Sequence, residues 1–150
     1  MSEPAEPVAR GTSWLDKATD DLRIAEVVLE SAIGIGRAVC FHSQQAAEKA
    51  IKGLLVHLDV DFPTSRSLDR LASLLPGDAT EHLDLEALTE LNPRAVAGRY
   101  PEDIENPTIE EAERIPDNAR HIVDVVRQLM DPQPGSTPKA ACRRGRARGG

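Results

Sequence analysis

The chain has 150 residues, 40% of them hydrophobic and 3% aromatic, and a formal net charge of −7; that length suits one domain able to bury a core without disulfide or metal staples. With a single Trp and a single Tyr, the core must come from Leu, Ile, Val and Ala, which favours helices over a sheet sandwich. The charge is uneven: the stretch from Pro132 to Gly150 holds five of the 18 basic residues and no acidic one, so 13 basic side chains face 25 acidic ones elsewhere, a net of −12, and the general electrostatic footprint of a nucleic-acid binder is missing from the domain.

Residues 1–12 hold two prolines and no hydrophobic period, and are read as a disordered lead. Ser13 is placed to cap a first helix, with Asp16 in its first turn; Leu15, Ala18, Leu22, Ala25, Leu29 and Ala32 then recur three and four apart, a narrow seam of the bundle type. Gly34 and Gly36 break the chain and leave a short connection, which makes the next helix an antiparallel neighbour.

That next helix, Arg37 to Leu58, is the one the rest is built to cover. Phe41, Ala47, Ile51, Leu54, Leu55 and Leu58 form its apolar row, while Gln44, Gln45, Glu48, Lys49 and Lys52 fall between. Ala46, Ala47, Ala50 and Gly53 keep one side thin, so a neighbouring helix can approach closely. Short helices follow over Leu68–Leu75, stopped by Pro76 and Gly77, and over about Glu81–Leu91, with Leu85, Leu88 and Leu91 inward and Asn92-Pro93 as the stop. The stretch Arg94–Pro107 is the longest irregular segment, a type of loop that disproportionately carries function.

Thr108 with Glu111 forms a capping box for the last helix, whose inner face is Ile109, Ala112, Ala119, Ile122, Val126 and Leu129. Pro116 inside that pattern predicts a kink or a break. Residues 132–150 cannot bury a core and are read as a disordered basic tail, leaving 13–131 as the domain. The expected fold is all-α: an up-and-down bundle of four main helices plus a short one.

Cys40 and Cys142 have no metal-ligand spacing and read as free thiols of a reducing cytoplasm. No apolar run reaches membrane-spanning length and no signal-peptide order opens the chain, so a cytoplasmic location is expected and no membrane partner. Glycine-rich phosphate loops, Glu-x-x-His pairs, metal-spaced Cys/His clusters and a nucleotidyltransferase Gly-Ser signature are all missing; no metal or cofactor is expected.

The words "FHSQQAAEKAIKGLL", with Trp14 in the helix before them and "GRYPED" from Gly98 to Asp103 after them, resemble the HEPN domain, a small helical family of prokaryotic toxin and defence systems, over about Trp14 to Met130. The resemblance implies a component of a toxin–antitoxin or defence-type system that binds RNA or a nucleotide, forms a homodimer and pairs with a minimal nucleotidyltransferase. Two forms stay open: a metal-independent endoribonuclease toxin, and a non-catalytic homodimeric binding subunit of the nucleotidyltransferase. A regulatory helical module without nucleic-acid role is a third reading, and the net charge of −12 argues for it.

Catalytic members of the family resemble this chain through an Arg followed by a His near the start of the last helix, here Arg114 and His121. A histidine can move a proton at the ribose 2′-hydroxyl or the leaving oxygen, and an arginine can stabilise an anionic phosphorane. Seven steps along a helix return to one face about two turns on. Pro116 between them and Ile115 in place of a polar residue depart from the usual word; the alternative is a solvated Arg and a half-buried His of an ordinary helix. Arg99 and Tyr100 of the Arg-Tyr-Pro word, with Arg94, are candidates to stack on a base or hold a phosphate, against a packing or interface role. His42, Gln45 and Lys49 share a helical edge that suits a nucleotide pocket or a plain polar face.

Overall fold

In the computed structural model, residues 6–31, 36–65, 67–91 and 108–130 are described. Three long helices carry the architecture: α1 (Glu6–Ser31), α2 (Gly36–His57) and α6 (Ile109–Met130). Among the described residues between α2 and α6 are α3 (Leu68–Ala72), α4 (Gly77–Thr80) and α5 (Leu85–Leu91). The fold is all-α, and the described residues contain no strand.

Side-chain pairings fix the directions. Gly11 lies against Gly53, and Asp21 bonds His42, so α1 and α2 are antiparallel. Arg127 reaches Thr19 and Arg120 reaches Glu26, so α6 is antiparallel to α1 and runs with α2. His121 meets Asp84 and Arg114 meets Glu90, so α5 is antiparallel to α6. The result is an up-and-down bundle whose third leg is made of short helices. Its centre is Ile51, Leu54 and Leu55 of α2, packed with Leu15, Ala18 and Leu22 of α1, Leu68, Leu71 and Leu88 of the short leg, and Ala119, Ile122, Val123 and Val126 of α6.

Several local expectations change. Helix α1 starts at Glu6, so Ser13 lies inside it rather than capping it, and residues 6–12 are helical rather than part of a lead. Pro7 is tolerated because a first-turn N–H has no intrahelical acceptor. The third segment ends at Ala72 rather than Leu75. The expected Glu81–Leu91 helix begins only at Leu85, after a turn over residues 81–84 that follows α4, because the Asp84 carboxylate accepts the N–H groups of Glu86 and Ala87 at 3.0 and 3.2 Å and starts α5 there. Helix α6 passes Pro116 unbroken, and its capping box is made in both directions: Thr108 N–H donates to Glu111 at 2.9 Å and Glu111 N–H to Thr108 Oγ1 at 3.1 Å.

Four residues assigned to apolar inner rows are exposed: Phe41, Leu58, Leu85 and Ile109. Leu58 lies just past the end of α2, and Leu85 and Ile109 open their helices, where no neighbouring helix need cover the first or last turn. Conversely Gln45 and Glu48, expected on a polar strip, are buried. No described helix is long and apolar enough to cross a membrane.

Candidate functional site

Arg114 and His121 sit seven positions apart on α6, roughly 10 Å along its axis, and both are engaged by the α5 leg. The Arg114 Nε–H lies 3.1 Å from each carboxylate oxygen of Glu90; Asn118 Nδ2 donates to the same carboxylate at 2.6 Å. His121 Nε2 accepts the backbone N–H of Asp84 at 3.1 Å. That bond uses the Nε2 lone pair, so the ring proton is on Nδ1 and the nitrogen a base would need is already occupied. Within one chain each of the two side chains closes a contact between the α5 leg and α6.

His42 and Lys49 do converge, on a residue that the sequence reading did not select. Asp21 of α1 is 7% exposed. Its Oδ1 lies 2.8 Å from His42 Nδ1 and its Oδ2 2.6 Å from Lys49 Nζ. The ring of Phe41 stands edge-on to that of His42, centroids 5.2 Å apart. Asp21 lies three positions after Ala18 and four before Ala25, on the flank of the α1 seam; an acid at that register was the available signal. Gln45 leaves this group and turns to Glu48 at 3.4 Å.

A second polar group lies further along α2. Lys52 Nζ donates to Glu48 Oε2 at 2.7 Å, an i,i+4 pair whose Lys52 and Glu48 side chains are only 12% and 8% exposed. The ammonium stands 5.8 Å from the ring centroids of both Trp14 and Phe62, which meet edge to face. Cation–π attraction thus adds to the ion pair in holding the segment after α2 against the hairpin.

Arg94, Arg99 and Tyr100 lie outside the described residues. Among the described residues no group of three or more His, Cys, Asp or Glu is arranged to hold a metal ion.

The HEPN domain profile matches residues 12–129, and the chain belongs to the HEPN domain family. Solved structures agree. An archaeal HEPN homologue, ST0689, is 26% identical, with a TM-score of 0.65 over 81% of this chain and 98% of its own. The protein TT1696 from Thermus thermophilus is 30% identical, with a TM-score of 0.65 over 79% and 97%. A HEPN domain protein from Thermotoga maritima is 26% identical, with a TM-score of 0.59 over 81% and 99%. No curated protein matches the chain significantly.

Proposed function

We propose that this HEPN protein is the binding component of a toxin–antitoxin or defence-type system: it takes an RNA or nucleotide ligand, works as a homodimer beside a minimal nucleotidyltransferase, and does not itself cut RNA. The family membership supports the nucleotide or RNA class. The observation that carries the non-cleaving part is the commitment of Arg114 to Glu90 and of His121 Nε2 to the Asp84 N–H within one chain. A ribonuclease needs both groups turned to a phosphodiester, with the imidazole lone pair free to take the 2′-hydroxyl proton.

The test is metal-free incubation of the full chain with a mixed single-stranded RNA pool, alongside the Arg114→Ala/His121→Ala variant. The expected result is retention of RNA without cleavage by either protein, and a dimer by light scattering. Cleavage by wild type that the double variant abolishes overturns the binding-only reading in favour of the endoribonuclease.

A further inference from the structure

The outer side of the α5–α6 pair is covered by no described helix, and its side chains carry one sign of charge. On α6 Glu110, Glu113, Asp117 and Asp124 are exposed and recur three, four and seven positions apart, which keeps them in one row along the helix. Exposed Glu86 and Glu90 stand one turn apart on α5, and Arg114 of α6 ties Glu90 to the edge of that row. Over residues 77–91 and 108–124, ten acidic side chains face two basic ones, a net of −8 out of the −12 carried by residues 1–131.

Elsewhere in the bundle the inward carboxylates have cations of their own: Asp21 has His42 and Lys49, Glu48 has Lys52, and Glu26 has Arg120. On this face the two cations are already committed, Arg114 to Glu90 and Arg120 to Glu26 and Asp117. Among the described residues no cation reaches Glu86, Glu110 or Glu113. Leu85, 63% exposed, opens α5 beside Glu86, so apolar surface lies among the carboxylates. Such a face suits a run of arginines, whose forks pair with carboxylates while their aliphatic stems cover apolar side chains.

A run of that kind follows α6 in the same chain. Residues 132–150, which lie outside the described residues, hold Lys139, Arg143, Arg144, Arg146 and Arg148 and no acid. From Glu110 to Met130 the helix is about 30 Å long at 1.5 Å per residue. The nine residues from Met130 to Lys139 span about 30 Å when extended, and the 18 to Arg148 about 60 Å. A chain that turns back after Met130 therefore has the length to lay its arginines beside Glu113 and Glu110. The exposed acids of α1, Asp16 and Asp20, alternate with exposed Lys17 and Arg23 and offer no comparable sum. We propose that the basic segment Lys139–Arg148 docks in cis on the outer face of α5 and α6, its guanidinium groups on Glu86, Glu110 and Glu113 and an arginine stem over Leu85. Its five cations bring the face from −8 to −3, and any other basic partner must displace them to reach it. The docking does not depend on the nucleotide-binding reading, since both participants belong to this chain.

The test uses Cys142, which lies inside the basic segment and takes a nitroxide in the Cys40→Ser full chain; a circular dichroism melt checks that the variant is folded. At low salt the spin label is expected to broaden the backbone amide NMR signals of residues 85–91 and 109–117 most strongly. The broadening should vanish in roughly 1 M salt, where the Debye length falls to about 3 Å, and in the Glu86→Gln/Glu110→Gln/Glu113→Gln variant. A second measurement keeps both cysteines: Arg143→Ala/Arg144→Ala/Arg146→Ala/Arg148→Ala alters no described residue, and should shift the amide signals of the same two segments. Broadening or shifts that are absent, spread evenly over the surface, or centred on Asp16 and Asp20 overturn the docking. A pattern that survives high salt overturns its electrostatic basis. An isotope-labelled chain without nitroxide, mixed with an unlabelled spin-labelled one, should stay sharp; broadening there would assign the contact to two copies and overturn docking in cis.

Discussion

Gly11 and Gly53 face each other across the α1–α2 contact, each occupying the space where the other's side chain would begin. A Cβ on Gly11 would stand 2.8 Å from the Gly53 carbonyl oxygen, and one on Gly53 would stand 2.9 Å from the Gly11 oxygen and 2.9 Å from Trp14 Cβ. The obstacle is backbone on both sides, so no rotamer change relieves it. Gly11→Ala or Gly53→Ala must push the helices apart and is expected to cost about 1–3 kcal/mol, the usual range for overpacking a closed contact. Gly77→Ala is the control, since nothing lies within 4 Å of its added methyl; it should be neutral or slightly stabilising. Urea denaturation of the three variants gives the comparison, and equal losses at all three positions would refute the close-contact argument.

This contact shows what the sequence can and cannot display. Gly53 stands out as a thin position because it shares a helical side with Ala46 and Ala50, but Gly11 falls in the stretch read as a disordered lead, because its partner is far away in sequence. The Thr108–Glu111 box was legible because both bonds lie within a single turn. The α5 start was not, since Leu85, Leu88 and Leu91 fit one continuous helical period and the Asp84 cap overrides it. Hydrophobic spacing gives a stripe but not how far a neighbour covers it, which is why Phe41, Leu85 and Ile109 emerge exposed. The site follows the same rule. Residue types at Arg114, His121, His42 and Lys49 were visible, whereas their partners Glu90, Asp84 and Asp21 depend on the register between helices.

Asp84 joins two roles that a substitution would separate. Its carboxylate caps α5, and its N–H donates to His121. Asp84→Ala should cost about 1 kcal/mol through the lost cap, while Asp84→Asn and Asp84→Ser, which keep a capping oxygen, should cost less. His121→Ala in the Asp84→Ala background should then cost less than in wild type, because a frayed α5 no longer places the N–H. A double-mutant cycle by thermal denaturation measures this; strict additivity would show that the contact is not coupled to the cap.

Glu48 and Lys52 are a pair whose two halves cannot be removed separately without loss. Lys52→Met leaves a carboxylate 8% exposed without its cation, a defect that costs about 3 kcal/mol or more. Glu48→Gln in the Lys52→Met background removes the stranded charge and keeps a partner for Gln45, so the double variant should be more stable than Lys52→Met alone. A double variant less stable than Lys52→Met would mean that the carboxylate, not the pair, supports the fold.

Arg120 tests how far surface electrostatics hold α6 to α1. Its guanidinium bonds the Glu26 carboxylate, and donates to Asp117 at 2.7 Å. The Glu26 hydrogen bond first, then that of Asp117, raises its pKa above the ordinary guanidinium value against the opposing effect of burial. A cationic group whose folded pKa is raised contributes stability that is complete below the unfolded value and disappears only as pH rises through the higher folded one. Through the neutral and mildly alkaline range the contribution is therefore flat, and salt is the lever instead. With 45% of the Arg120 side chain exposed, screening limits the pair to about 0.5–1 kcal/mol. Arg120→Ala should lose that much at low ionic strength, with the deficit shrinking in roughly 1 M salt as the Debye length falls to about 3 Å. A deficit that persists undiminished in high salt would instead assign Arg120 a packing role, through its methylene stem lying along the α1–α6 seam.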